Sequence, residues 1–72
     1  SRAVTTGDFA VTAGQLPYLL SALAANGVTA TAVHHHLVGE EPKIYFVHFW
    51  GDAPLTDLLR ALRAALEATK LP

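Results

Sequence analysis

No cysteine occurs anywhere in the 72-residue chain, which excludes a disulfide framework, a thiolate metal site and a cysteine nucleophile, and leaves the redox compartment unreadable. Charge is also scarce: 15% of residues are charged, with five Lys+Arg against six Asp+Glu. Neither a nucleic-acid backbone nor an anionic membrane surface is an expected partner for so balanced a chain. Long hydrophobic runs are missing as well. Leu19-Leu20 and Ala22-Leu23-Ala24-Ala25 fall far short of the roughly 20 apolar residues that cross a bilayer, so no membrane insertion is expected. Ser1-Arg2-Ala3 shows no signal peptide, and the expectation is a soluble chain. There is no phosphate-cradling glycine loop, no dinucleotide fingerprint, and no nucleophile motif around Ser1 or Ser21.

What the chain does have is apolar surface, at 51% hydrophobic residues and a mean hydropathy of +0.32. A domain of this length buries only about 60% of its unfolded surface. The surplus points to a homodimer, closed two-fold pairs being the commonest way to bury it. A piece of a larger protein is the other reading of the same arithmetic.

The pattern along the chain is strand, helix, strand, strand, helix. Asp8–Thr12 is short and β-prone after Gly7, and reads as the first strand. Thr12-Ala-Gly-Gln15 has the form of a capping box and opens a helix at Ala13, or at Gly14 or Gln15 given Pro17. Leu16, Leu19, Leu20, Leu23 and Ala24 recur at helical spacing, and Asn26-Gly27 ends the run. Val28–Val38 and Lys43–Trp50 are rich in β-branched and aromatic residues and read as a hairpin around Gly39-Glu40-Glu41-Pro42. Asp52 reads as the N-cap of a second helix with Pro54 in its first turn, and Leu55, Leu58, Leu59, Leu62 and Leu66 as its apolar stripe, running to about Lys70 and limited by Pro72. Arg63 and Glu67 form an i, i+4 pair on its polar side. The expected fold class is α+β, β-α-β-β-α, with a three-stranded sheet, both helices on one face and the other face bare.

All four histidines, His34, His35, His36 and His48, fall within the predicted hairpin. Residues two apart on a strand share a face, with Cα atoms about 6.6 Å apart, so His34 and His36 aim at one side while His35 points away. Whether His48 joins them depends on register. A two- or four-residue loop centred between Glu40 and Glu41 puts it opposite Val33, on the face of His35; a three-residue loop or one bulge brings it to the face of His34 and His36.

Three imidazoles with an open fourth position are the ligand set of catalytic zinc, which makes hydroxide available near neutral pH. Copper and nickel also suit imidazole. Glu40 and Glu41 stand close enough in sequence for a fourth ligand, a partner to an imidazole N–H, or a general base. Half-exposed surface histidines are the plainer reading. Tyr45 and Trp50 could stack on a small-molecule substrate, although strand aromatics more often belong to a core or an interface.

The segment Ala32-Val-His-His-His-Leu-Val-Gly-Glu-Glu-Pro-Lys-Ile-Tyr-Phe-Val-His-Phe-Trp-Gly51 resembles the LppY/LpqO-type family of bacterial domains of unknown function. There, an Ala-Leu-His-Asn-His core precedes Gly-Glu-x-Pro-Arg and then Phe-x-His-Phe/Tyr-Trp. The likeness extends back through Gly7-Asp8-Phe9 and Leu23-Ala-Ala-Asn-Gly27-Val28, and forward through Leu62-Arg-Ala-Ala-Leu66. The resemblance implies that this chain matches the latter part of the family's domain, and that His34, His36, Glu40, His48 and Trp50 are its pattern residues. His35 stands where relatives carry Asn, and Gly14 and Leu16 stand where they carry Glu and Asn. It also implies a bacterial and exported setting but supplies no activity. Together these readings give a metal-binding domain with His34, His36 and His48 as ligands of a divalent transition metal, zinc first. If it is an enzyme, the expectation is a hydrolase of activated esters or phosphoesters with Glu40 as base. The rival expectation is a non-catalytic metal-binding or interaction module.

Overall fold

The computed structural model describes residues 1–70. It has β1 (Arg2–Thr12), α1 (Leu16–Ala25), β2 (Thr29–His35), β3 (Ile44–Pro54) and α2 (Leu55–Ala68). The sheet order is β1-β3-β2, with β3 antiparallel to both neighbours. The expected α+β order and single sheet are therefore present, and the hairpin partner β3 lies in the middle. Pro72, the expected limit of α2, falls outside the described residues.

Alternation along the strands separates two faces. Odd-numbered positions of β1 and β3 are the less exposed ones and meet the helices, while even-numbered positions face away from them. The core on the helix side consists of Val11, Val47 and Phe49 from the sheet, Leu19 and Leu23 from α1, Val28, and Leu58, Ala61 and Ala65 from α2. Two glycines let layers close: a Cβ on Gly7 would lie 3.0 Å from the Phe49 ring, and one on Gly51 would lie 3.0 Å from Leu58 Cδ2.

Several boundaries differ from expectation, each for a physical reason. β1 begins at Arg2 rather than Asp8, and β3 runs on to Pro54 rather than stopping at Trp50, because the added stretches pair with each other from Arg2↔Pro54 to Thr5↔Gly51. Asp52 is thus a strand residue, its carboxylate 3.3 Å from Arg2, and Pro54 takes the N-cap position of α2. Gln15 is the N-cap residue of α1; its Oε1 accepts from the Thr12 N–H at 2.9 Å, which is the reciprocal half of a capping box, while the Thr12 hydroxyl makes no cap bond. Gly27 ends α1 with φ +75°, as a left-handed closure requires. On α2 the buried side is Leu58, Ala61 and Ala65, with Leu62 packed beside them, whereas Leu55, Leu59 and Leu66 are exposed. Glu67 pairs with Lys70 at 3.2 Å, the i, i+3 neighbour, in place of Arg63.

Candidate functional site

The hairpin register resolves the parity left open by the sequence. His34 pairs with Phe46, His35 with Tyr45, Val33 with Val47 and Ala32 with His48 in one unbroken register, set by an odd-numbered connection; the bulge between Ala30 and Ala32 shifts only the pairs beyond it. His48 is therefore on the same face as His34 and His36, and that face is the one without helices. His35 projects to the opposite side and meets Tyr45 edge-on, with ring centroids 4.9 Å apart.

Sharing a face does not bring the three imidazoles together. Phe46 stands between them, its ring centroid 5.8 Å from that of His34 and 5.3 Å from that of His36. His48 lies one step further along β3, diagonal to His34, where side chains are typically about 7–8 Å apart. No group of three or more His, Cys, Asp or Glu side chains is gathered for a metal among the described residues.

Each of the three imidazoles is nonetheless held at Nδ1 by an oxygen acceptor. His34 Nδ1 lies 3.1 Å from the carbonyl oxygen of His35, His36 Nδ1 lies 2.9 Å from Glu40 Oε1, and His48 Nδ1 lies 3.2 Å from Asp8 Oδ1. An N–H donated from Nδ1 fixes the tautomer and leaves the lone pair on Nε2, the atom that ligates a metal. Among the described residues no group is bonded to Nε2 of His34 or His36, whereas His48 Nε2 meets the Thr6 hydroxyl at 3.2 Å. The same hydroxyl lies 3.0 Å from the Phe49 carbonyl oxygen, so its one proton is shared between the two acceptors.

Glu40 is positioned by the loop after β2. Its Oε1 accepts from His36 and its Oε2 accepts from the Ile44 N–H at 3.3 Å, so both carboxylate oxygens are engaged within the hairpin. The hydrogen bond from His36 is the main reason its carboxyl titrates below the ordinary value of 4.5; the Ile44 N–H and the His36 charge act in the same direction. Glu40 is thus ionised at neutral pH. Glu41 is exposed, and among the described residues no hydrogen bond or ion pair joins it to a histidine.

Tyr45, expected as a candidate stacking group, faces the helix side and packs against the core. Trp50 is on the histidine face, opposite Thr6, and is 45% exposed. Asp8 and Thr6 were not identifiable as site residues from sequence, since they lie 40 and 42 positions from His48 and reach it only through the β1–β3 pairing. The one local signal is that Thr6 and Asp8 are polar at every second position, in alternation with the half-buried Thr5, Gly7 and Phe9. A shallow apolar cleft of about 460 Å³, bordered by Leu20, Ala24, Gly27 and Ala30, lies at the end of α1 and contains no titratable side chain. The chemistry is on the open sheet face.

These features define a small α+β domain whose helix-free sheet face carries oriented histidines. The family model described as Domain of Unknown Function (DUF1259) matches residues 1–68, and the chain belongs to that family. No curated protein and no solved structure matches it significantly.

Proposed function

We propose that the open sheet face binds a divalent transition metal, zinc first and copper or nickel second, through His34, His36 and His48. The observation that carries this reading is the Nδ1 anchoring of all three imidazoles on one face by Glu40, Asp8 and a backbone carbonyl. A metal-ligating histidine almost always donates its other ring N–H to an acceptor of this kind. Within this reading Glu40 first positions His36. It serves as the base expected from the sequence only once that hydrogen bond is exchanged for one to water.

The hydrolytic half of the proposal is that a metal at this face lowers the pKa of a water it holds to about 7, for attack on an activated ester or phosphoester. Trp50, exposed beside His48, would contact the substrate, while Tyr45 supports the site from behind the sheet. Homodimerisation is part of the same proposal, supported by exposed Val4, Val33 and Trp50. So is the finer likeness to the LppY/LpqO-type domains, supported by the His-x-His and Gly-Glu-x-Pro spacing.

A second reading, a metal-binding module without catalysis, is favoured by the Phe46 ring interposed among the imidazoles, which leaves no ready three-ligand site with an open position. Elemental analysis of untagged protein after zinc reconstitution and desalting tests the common ground. Zinc retained by the native chain and lost in His36→Ala is the expected result; a folded chain that retains none overturns both readings. Zinc-dependent hydrolysis of p-nitrophenyl esters then separates the enzyme from the module.

A further inference from the structure

We propose that the metal centre is completed by a second copy of this chain, docked edge to edge along β2, with His34 and His36 of each copy supplying four imidazoles. The inference rests on the metal-binding reading and assigns its ligand set differently. Within one chain the β3 side of the His34–His36 pair is filled by Phe46, in ring contact with both. His48 Nε2 is already bonded to Thr6. Further donors for the pair must therefore come from the side away from β3, and that side is the free edge of the sheet.

The edge is suited to such a partner. Every residue of β2 is exposed, including Val33, which faces the helix side yet remains 45% exposed, so neither helix overhangs this part of the strand. From Ala32 to His35 it carries no proline and no lysine, aspartate or glutamate, the residues that commonly guard a sheet edge. The bulge between Ala30 and Ala32 disrupts only the earlier half.

Backbone alternation then selects a register. The His36 N–H donates to the Ile44 carbonyl at 2.9 Å, so His36 and His34 direct their backbone groups toward β3, and Val33 and His35 direct theirs outward. An antiparallel two-fold pairing through the outward groups, with its axis at His35, sets His34 of one copy opposite His36 of the other and His36 opposite His34. Those are non-hydrogen-bonded pairs, the kind with Cα atoms only about 4.5 Å apart. The axis is perpendicular to the sheet, so all four imidazoles lie on the same open face. Four imidazole nitrogens with no thiolate form a closed tetrahedral set for zinc. The contact that a four-residue edge makes is small beside the roughly 800 Å² per partner of a stable interface, so association requires the metal.

The test is zinc titration of the native chain with molar mass followed by light scattering and bound metal by elemental analysis. The expected result is a monomer that doubles in mass with half an equivalent of zinc per chain and reverts with chelator. His34→Ala and His36→Ala each abolish both effects, His48→Ala keeps both, and circular dichroism of all three variants matches the native chain. One zinc per chain on a monomer, lost in His48→Ala, overturns the shared site and leaves the single-chain metal reading standing. A dimer whose mass is indifferent to zinc also overturns the shared site, and a folded chain that retains no zinc overturns both.

Discussion

The two faces of the sheet differ in what they do with the same strands. On the helix side, Val11, Val47 and Phe49 are buried against Leu19, Leu23 and Leu58, and that face contains no titratable group within its core. On the other side, alternate residues of those strands present Asp8, Thr6, His48, Phe46 and, from β2, His34 and His36. The difference shows that one face holds the fold while the other is free to carry chemistry, because substitutions on the open face do not pass through the core. A protein this small keeps the two tasks apart by the two-residue period of the strand rather than by separate domains.

That division can be broken from the core side first. Leu19 is fully buried, and Leu19→Ala should cost about 3 kcal/mol or more. A chain of this size has total stability on the order of 4–10 kcal/mol, so the urea midpoint should fall steeply. A loss under about 1 kcal/mol would mean that the core is looser than its packing indicates. Phe46→Ala sharpens the comparison from the other face. Half-buried, it should cost roughly half as much as the core truncation, and removing its ring opens the space between His34, His36 and His48. Zinc per chain should rise toward one in that variant, as elemental analysis would record.

Glu40→Gln should move the denaturation curve only slightly and weaken zinc affinity about 10- to 100-fold, because the amide oxygen that replaces the carboxylate behind His36 is an uncharged, weaker acceptor; competition against a chromogenic chelator measures it. The pH sign follows from the same bond. Because the Glu40 carboxyl titrates lower in the folded chain than in the unfolded one, its contribution is present above the unfolded value and is lost as pH falls through the lower folded value. Signals of His36 Nδ1–H in the metal-free chain should weaken with acid in that window, and the Gln variant should lack the transition. The smallest effect is expected at Leu59, exposed on α2. Leu59→Lys should shift stability by no more than about 0.5 kcal/mol and leave zinc-driven association unchanged; a change in either would identify α2 as a second contact surface.

The elements legible in the sequence were those whose patterns are local. Leu19 and Leu23 recur at helical spacing, Gly27 closes the helix, and the β-branched runs around the histidines form the hairpin. The Gly51–Pro54 segment was misread because Asp52 before Pro54 imitates a helix start. Its strand character depends on Arg2–Thr5, some 50 residues away in sequence, and pairing at that distance leaves no local signature. The α2 stripe is legible only in part: Leu58 is buried and Leu62 packs against the core, but leucines draw attention to Leu55, Leu59 and Leu66, which are exposed, whereas Ala61 and Ala65 are fully buried. For the site, His34 and His36 followed from strand alternation alone. The face of His48 depends on the parity of the connection between β2 and β3, and its partners Asp8 and Thr6 depend on the long register of β1 against β3.

Gln15 has a mechanical consequence. Its side-chain oxygen accepts from the Thr12 N–H at 2.9 Å and its amide donates to the Thr69 carbonyl at 2.7 Å, so one residue clasps the corner between β1 and α1 to the far end of α2. Tension applied at the C-terminal end is delivered through this clasp to the corner where the first strand turns into its helix, instead of peeling α2 away turn by turn. In a single-molecule pulling experiment the native chain should yield in one abrupt step, and Gln15→Ala should convert that step into a gradual, lower-force unravelling from the C-terminal side.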